Sequence, residues 1–313
     1  MQNPKAISSR KGWKSVVIKD FKMNKYKYLI VLPIIIYLII FNYKPMYGLI
    51  IAFKNFRVTL GFADSPWVGL DHFKAFFNDI FFTRLLRNTF TISGLSIIFG
   101  FPAPIILALL INEVRNQKFK RVIQTVTYMP HFISIVIVCG LLVAYTQSNG
   151  AINDIVAFFG GERTNLLARK EMFYPIYILS GIWQSAGWSS IIYLAAITGI
   201  DQEQYEAAKV DGAGRFRQMI SITLPGLMPT IIVLFILQMG SILSVGHEKI
   251  LLLYKPLTYE VADVISTYVY RRGIIEANYS YSTAIGLFNS VVNITFLLIT
   301  NKLSKRINET SLF

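Results

Sequence analysis

The stretch EAAKVDGAGRFRQMISITLP, residues 206–225, lies between two long apolar runs, although many of its residues are polar or charged. A segment of this polarity does not suit the interior of a bilayer, yet it carries local signals of ordered structure. Asp201, just before it, is a favourable helix N-cap, and Gln204 three residues later completes a capping-box pattern. We therefore predict a short helix over residues 202–211.

The second half of the stretch predicts a turn and a return into an apolar helix. Gly212 and Gly214 are expected to end the first helix, because glycine adopts positive φ at little cost. A second short helix is predicted over residues 215–221. Pro225 fits the first turn of the next apolar run, where its missing N–H is harmless. The stretch is thus a helix–turn–helix elbow, held at both ends by apolar helices. Such an elbow can transmit a displacement to the helices that flank it.

The composition around this elbow is typical of a membrane protein. The chain has 313 residues, of which 54% are hydrophobic and only 15% are charged. Soluble domains usually carry about 25% charged residues. The net charge of +14 comes from Lys and Arg that concentrate at the ends of the chain and in one loop. We therefore interpret the charge as membrane topology and expect no nucleic acid partner.

Apolar runs long enough to cross a bilayer, which needs about 20 residues, occur six times. The sequence therefore predicts an all-α, polytopic membrane helix bundle with about six transmembrane helices. The predicted spans are residues 28–53, 88–111, 122–146, 173–197, 222–245 and 283–300.

The orientation follows from the loops that are rich in Lys and Arg. They precede residue 28, occupy residues 115–121 and follow residue 301. An even number of spans places all three on one side, which the positive charge makes cytoplasmic, together with the elbow. The predicted parts are a basic cytoplasmic segment over 1–27, a transmembrane domain over 28–303 with the elbow at about 199–225, and a cytoplasmic tail over 304–313. The first part fits an interfacial helix on membrane lipid, with a disordered tail as the alternative.

The elbow also carries a family resemblance. Glu206-Ala207-Ala208, then Gly212 and finally the Ile-x-Leu-Pro ending at Pro225 fit the EAA signature of permease subunits of ABC importers, with the family's spacing. Other segments resemble the carbohydrate-uptake branch, particularly the type that serves complex oligosaccharides. They are PMYGLIIAFKNF, GLDHF, QTVTYMPHFIS, GIWQSAGWSSIIYLAAI and ADVISTYVYRRGI. The resemblance covers the chain from about residue 28 to its end.

The resemblance implies a type I importer fold in the bacterial cytoplasmic membrane, and alternating access as the mechanism. In such families the elbow docks on a cytoplasmic ATPase subunit. The implied ATPase-coupling residues are Glu206, Ala207, Ala208, Asp211, Gly212, Leu224 and Pro225. The implied partners are a homologous permease subunit, two cytoplasmic ATPase subunits that bind ATP and Mg, and an extracytoplasmic solute-binding protein that delivers an oligosaccharide.

Polar residues inside the apolar runs are candidates for a translocation path, because polar groups in lipid should face the bundle interior or a water-filled cavity. The candidates are Trp183, Gln184, Trp188, Gln238, Ser241, Asn289 and Asn293. For any single residue, an interhelical hydrogen bond is the alternative.

The outer segment over residues 247–281 is long, charged and rich in tyrosine, which suits a protein contact. Its candidate contacts with a binding protein are Tyr259, Glu260, Asp263, Tyr268, Arg271 and Arg272. Packing against the partner permease is the alternative.

The sequence shows no catalytic centre. It lacks the P-loop pattern GxxxxGK[ST], so we expect a non-catalytic subunit without a cofactor of its own. The single cysteine and three histidines lie apart, and no metal site is expected. Two alternatives remain, an ion-coupled secondary transporter and a non-transporting receptor that anchors an ATPase. The first would need ionisable residues at the bilayer midplane, and the predicted spans hold almost none apart from Lys44, near a boundary.

Overall fold

A computed structural model of the protein describes residues 20–308 and 311–312. Most of the predicted N-terminal segment over residues 1–27, including most of the possible interfacial helix, therefore lies outside the described residues. The chain divides into two compact units, residues 1–51 and residues 52–313. In the described part, β-structure is limited to one isolated antiparallel bridge between Lys54 and Trp67.

Among the described residues, α1 and α2 belong to the first unit and the α-helices from α3 onward belong to the second. The α-helices in chain order are α1 Lys25–Leu38, α2 Lys44–Met46, α3 Gly61–Asp64, α4 Asp71–Phe77, α5 Phe82–Leu95, α6 Pro102–Asn112, α7 Gln117–Tyr128, α8 Ile135–Thr146, α9 Ala151–Phe158, α10 Lys170–Thr198, α11 Gln202–Val210, α12 Arg215–Gln218, α13 Leu224–Met239, α14 His247–Leu253, α15 Tyr259–Ala262, α16 Ile265–Tyr270 and α17 Tyr279–Asn308.

Three of the prolines that lie inside long helices share one local arrangement. Each follows a π-helical turn by two residues: Ile39–Tyr43 precedes Pro45, Ser96–Gly100 precedes Pro102, and Met219–Thr223 precedes Pro225. Proline has no N–H, and its ring collides with the carbonyl four residues earlier. The wider turn relieves this conflict, since Phe101 N donates to Ser96 O at 3.0 Å, five residues back. The helix therefore continues from α5 into α6 and from α12 into α13.

Five helical stretches in the described residues are long and apolar enough to cross a membrane, judged by length and composition. They are Lys25–Phe53, Phe82–Asn112, Ile135–Phe158, Arg215–Met239 and Tyr279–Arg306. The fourth predicted span corresponds to α10, a single helix of 29 residues that is about 44 Å long. Its polar side chains lower its hydropathy, but its length suffices to span a bilayer. The predicted all-α polytopic bundle is confirmed.

The structure corrects several predicted span boundaries. Residues 122–146 are not one helix, because α7 ends at Tyr128 and α8 begins at Ile135. A 3-10 turn, Met129–Phe132, separates them and contains Pro130. The helix of the fifth span ends at Met239, six residues early, and the last helix extends beyond the predicted 283–300 at both ends.

The second short helix predicted for the elbow is also revised. Instead of a separate helix over residues 215–221, α12 runs through the π-helical turn Met219–Thr223 into α13. The elbow therefore consists of one short helix and the first turns of a spanning helix.

The helices around α10 approach one another closely. A Cβ atom placed on Gly187 would lie 1.9 Å from the Thr127 carbonyl oxygen, so α7 crosses α10 at backbone contact distance. Further along, Tyr193 and Ile197 of α10 pack with Ile105 of α6 and Leu227 of α13 in one buried cluster. This packing fixes α6, α10 and α13 relative to each other.

Candidate functional site

The elbow begins and ends with strong local hydrogen bonds. The Asp201 side chain accepts a hydrogen bond at 3.0 Å from the backbone N–H two residues further on, which caps α11. At the other end, Ala213 N donates to Ala208 O at 2.8 Å and Gly212 N donates to Lys209 O at 3.0 Å. This pair of bonds is a Schellman motif, and it requires a left-handed residue, which Gly212 supplies with φ of +74°. The predicted turn at Gly212 is present.

Side chains brace the elbow against the bundle. The Tyr205 hydroxyl lies 2.9 Å from Thr223 Oγ1, which links α11 to the π-helical turn before α13. Arg215 donates from Nη2 to the Glu113 backbone oxygen at 3.1 Å, and its Nε lies 3.3 Å from the Glu113 carboxylate. The elbow is thus tied to the end of α6 as well as to its own flanking helices.

The residues predicted for ATPase coupling lie mainly on the surface of this elbow. Glu206, Ala207, Asp211, Gly212 and Pro225 are exposed, and Ala208 and Leu224 are half-buried. Two large apolar side chains that sequence reasoning missed stand beside them, Val210 at 88% exposure and Phe216 at 71%. Exposed apolar groups of this size, rimmed by charge, are typical of a protein contact surface.

A cavity of about 640 Å³ lies between α6, α10, α13 and α14. Three of the predicted path residues line it, namely Gln184 of α10, Gln238 at the end of α13, and Ser241 just beyond. Ser185 and Ser189 of α10 add hydroxyl groups to the wall. Amides and hydroxyls can both donate and accept hydrogen bonds, so this wall can bind a polyhydroxylated solute.

Sequence reasoning missed Lys249, which also lines the cavity. It lies on α14, between the last two spans, and is only 8% exposed. Its Nζ donates to the Tyr177 carbonyl oxygen at 2.9 Å and lies 4.7 Å from the centroid of the Tyr177 ring. Burial lowers the pKa of Lys249 to about 8, and the nearby Cys139 has a smaller, opposite effect. The signal that could have found it is a lysine directly before the apolar run Ile-Leu-Leu-Leu.

The structure does not bring the other four candidate path residues to this cavity. Trp183 lines a separate, apolar cavity of about 400 Å³ beside the N-terminal half of α10. Trp188 stacks on His131, with ring centroids 4.7 Å apart and an angle of 1° between the rings. This stacking occupies one face of the Trp188 ring, which a sugar would otherwise use.

The two asparagines of α17 have different surroundings. Asn293 Oδ1 accepts from Leu243 N at 2.9 Å, and its Nδ2 donates to Ser244 Oγ at 3.0 Å. Its hydrogen bonds therefore join α17 to the turn after α13, whereas the sequence offered bonds between helices as the alternative role. Asn289 Oδ1 is buried and has no hydrogen-bond partner among the described residues.

The candidate binding-protein surface is built on a buried carboxylate. Asp263 is fully buried and accepts from Arg271 Nη2 at 2.7 Å and Arg84 Nη2 at 3.3 Å. Tyr268, 1% exposed, accepts from Arg272 Nε at 2.9 Å. Among the six candidates, Asp263 and Tyr268 are buried, Tyr259, Arg271 and Arg272 are half-buried, and Glu260 is exposed. Asp263 and Tyr268 therefore position Arg271 and Arg272 through hydrogen bonds and do not form the surface themselves.

Comparison with known proteins places the chain among transport proteins. Residues 100–309 match the family described as "Binding-protein-dependent transport system inner membrane component". Protein LplB of Bacillus subtilis (strain 168) is 48% identical over 293 residues, which cover 93% of this chain and 92% of LplB. The polygalacturonan/rhamnogalacturonan transport system permease protein YteP of the same organism is 48% identical over 308 residues, which cover 98% of this chain and 96% of YteP.

Two solved structures share the fold. One is the crystal structure of a bacterial ABC transporter involved in the import of the acidic polysaccharide alginate, with a TM-score of 0.87 and 49% identity, covering 93% of this chain and 99% of that chain. The other shows a bacterial alginate ABC transporter in complex with an alginate pentasaccharide-bound periplasmic protein, with a TM-score of 0.87 and 48% identity, covering 94% of this chain and 99% of that chain.

Proposed function

We propose that this chain, which belongs to the family of inner membrane components of binding-protein-dependent transport systems, is one permease subunit of an ATP-driven importer of oligosaccharides. The observation that carries the proposal is the elbow: a capped, braced and exposed helix that joins two long helices whose other parts line a polar cavity.

The energy source would be two cytoplasmic ATPase subunits that bind ATP and Mg. The elbow presents Glu206 and Ala207 beside the exposed apolar side chains of Val210 and Phe216, which a docked ATPase would cover. The chain itself lacks a P-loop, and ATP hydrolysis would take place on these partners. Differential binding of ATP and of loaded binding protein would shift the population between inward-facing and outward-facing states.

The substrate path would run through the cavity wall formed by Gln184, Gln238 and Ser241, with Ser185 and Ser189. A homologous permease would close the other side. The names of YteP and of the alginate transporters support an oligosaccharide as the solute.

The extracytoplasmic binding protein would contact the surface around Arg271, Arg272 and Glu260. This side lies opposite the elbow along α10, because Glu260 pairs with Lys170 at one end of that helix and the elbow follows its other end. Through the contact between Arg215 and Glu113 the elbow lies beside the basic segment over residues 115–121, most of which forms the first turns of α7. This proximity supports the same cytoplasmic location for both.

The proposal is tested with the chain co-purified with its partner permease and ATPases and reconstituted in proteoliposomes. We expect Glu206→Lys and Gly212→Val to leave the assembly in the membrane but to lower oligosaccharide uptake and binding-protein-stimulated ATP hydrolysis about tenfold or more. Valine at φ of +74° would cost about 1–3 kcal/mol and disrupt the Schellman turn.

Glu162→Lys provides the matched control, because Glu162 is exposed and lies in the connection between α9 and α10, away from the elbow. It should retain normal uptake and hydrolysis. Normal transport and normal stimulated hydrolysis in both elbow variants would contradict the proposal. A reconstituted assembly that hydrolyses ATP but accumulates no labelled oligosaccharide would instead favour the receptor alternative.

A further inference from the structure

Lys249 is a buried lysine without a carboxylate partner. It takes part in none of the ion pairs formed by the described residues. In the part of the chain that the structure describes, the Tyr177 carbonyl oxygen is the one hydrogen-bond acceptor that its Nζ reaches, at 2.9 Å. An ammonium group has three donors, so two remain available to a ligand.

Burying the positive charge of Lys249 costs desolvation free energy. Removing an ammonium from water without a counter-charge is strongly unfavourable, and the ring of Tyr177, 4.7 Å from Nζ, compensates only part of that cost. A methionine or leucine would fill the same space without the penalty. A role in packing alone therefore does not explain a lysine at position 249.

No other charged side chain among the described residues lines the cavity around Lys249. Among the described residues that line the cavity, Lys249 carries the only formal charge, and the rest of the wall is apolar or neutral and polar. Gly181 lies beside the ammonium, since a Cβ atom placed on this residue would be in van der Waals contact with Lys249 Nζ at 3.4 Å. The low-polarity surroundings strengthen any ionic hydrogen bond formed there.

We propose that Lys249 binds a carboxylate of an acidic oligosaccharide as it passes through the cavity, while the neighbouring amides and hydroxyls bind the sugar hydroxyls. The substrate class is then uronate-containing oligosaccharides. This inference rests on the proposed function, and the acidic polysaccharides in the names of YteP and the alginate transporters agree with it. A single cation suits a transport path, where binding must be strong enough to admit the solute and weak enough to release it.

The test measures binding to the complete permease–ATPase assembly without binding protein, so that selection by that protein does not contribute. The probes are tetragalacturonate, tetramannuronate and the carboxyl-reduced form of each, which keeps length and linkage but is neutral. Isothermal titration should show that wild type binds at least one acidic probe about tenfold tighter than its reduced form, as a charge-assisted hydrogen bond requires.

Lys249→Met should abolish this preference without weakening the binding of the neutral probe, and Lys249→Arg should retain it. Lys74→Met is the matched control, because the Lys74 side chain is 73% exposed and lies outside the cavity, and it should behave as wild type. If Lys249→Met does not assemble, the comparison of acidic with reduced probes in wild type still tests the proposal, because equal binding of the two would overturn it.

Equal binding of acidic and reduced probes by wild type would overturn the inference, as would a preference that survives in Lys249→Met. In either case ATP-driven uptake of the neutral probes would leave the proposed function intact. Failure of wild type to bind or import any of the oligosaccharides would overturn both.

Discussion

At the scale of single residues, two buried charges in this protein have opposite surroundings. Asp263 is fully buried but receives hydrogen bonds from Arg271 and Arg84, so its charge is compensated within the chain. Lys249 is nearly as buried and has a neutral carbonyl and an aromatic ring instead of a carboxylate. The first arrangement is structural. The second leaves a charge for a ligand to neutralise.

The pH dependence of ligand binding should report the charge of Lys249. Burial lowers its pKa to about 8, so the ammonium is charged below that pH and neutral above it, while uronate carboxylates, with pKa near 4, stay ionised throughout. We expect the affinity of the assembly for acidic oligosaccharides to fall as the pH rises through about 8. The titratable side chains on α14 and on helices packed against it include His247, Glu248, Cys139, Tyr177, Tyr268 and Tyr270.

Lys249→Arg separates Lys249 from those other groups, because a guanidinium stays charged at every pH of the experiment. Its affinity for the acidic probe should be flat across the range in which wild type loses affinity. An unchanged wild-type affinity between about pH 6.5 and 9.5, or an equal decline in the arginine variant, would show that another group is responsible.

At the scale of secondary-structure elements, the crossing of α7 and α10 depends on the absence of one side chain. Gly187 brings α10 against the backbone of Thr127, and Trp188, the next residue, stacks on His131 just after α7. Small residues permit such close approach between helices in membranes. The contact positions α7 beside the helix that carries the cavity wall.

Gly187→Ala should destabilise this crossing. The new Cβ atom would meet the Thr127 carbonyl oxygen at 1.9 Å, so the helices must separate. We expect a loss of about 1–3 kcal/mol, seen as a lower melting temperature of the purified assembly in detergent.

Gly286→Ala is the control, because Gly286 also lies in a spanning helix and a Cβ atom there meets nothing within 4 Å. Its melting temperature should stay close to that of wild type. If both substitutions had the same effect, the close helix crossing would not be the cause.

At the scale of the whole molecule, the elbow and the cavity share the same helices. α10 carries Gln184 and ends directly before α11, and the helix that begins in the elbow at Arg215 carries Gln238 near its end. A displacement of the elbow would therefore move two walls of the cavity together. Pro225 does not interrupt this connection, because the preceding π-helical turn keeps the helix continuous.

Uptake by cells that carry the importer should depend on ATP and not on ion gradients. With ATP held high inside the cells, an ionophore that collapses the proton and sodium gradients should leave oligosaccharide uptake within about twofold of its untreated rate, because the proposed function has ATPase subunits act on the elbow. Uptake that stops with the gradients while ATP is unchanged would support the ion-coupled alternative, for which Lys249 would be the obvious titratable group.

Several features could be predicted from the sequence because their causes are local. The cap at Asp201, the positive φ at Gly212 and the 29-residue helix around the predicted span 173–197 each depend on residues close in the chain. The family resemblance likewise rests on the spacing within one short stretch. Apolar runs of sufficient length form a helix bundle in lipid, because every backbone N–H and C=O group there must be hydrogen-bonded within the protein.

The tertiary structure alone decided which side chains face the cavity. Lys249 was predicted to lie in an outer loop but is buried beside Tyr177, whereas Trp188 turns to His131 and Asn293 to the backbone after α13. The physical reason is that lipid and helix interfaces are both apolar, so a spanning helix carries no clear stripe that marks its inner face. Only the neighbouring helices settle which polar groups meet water and which meet each other.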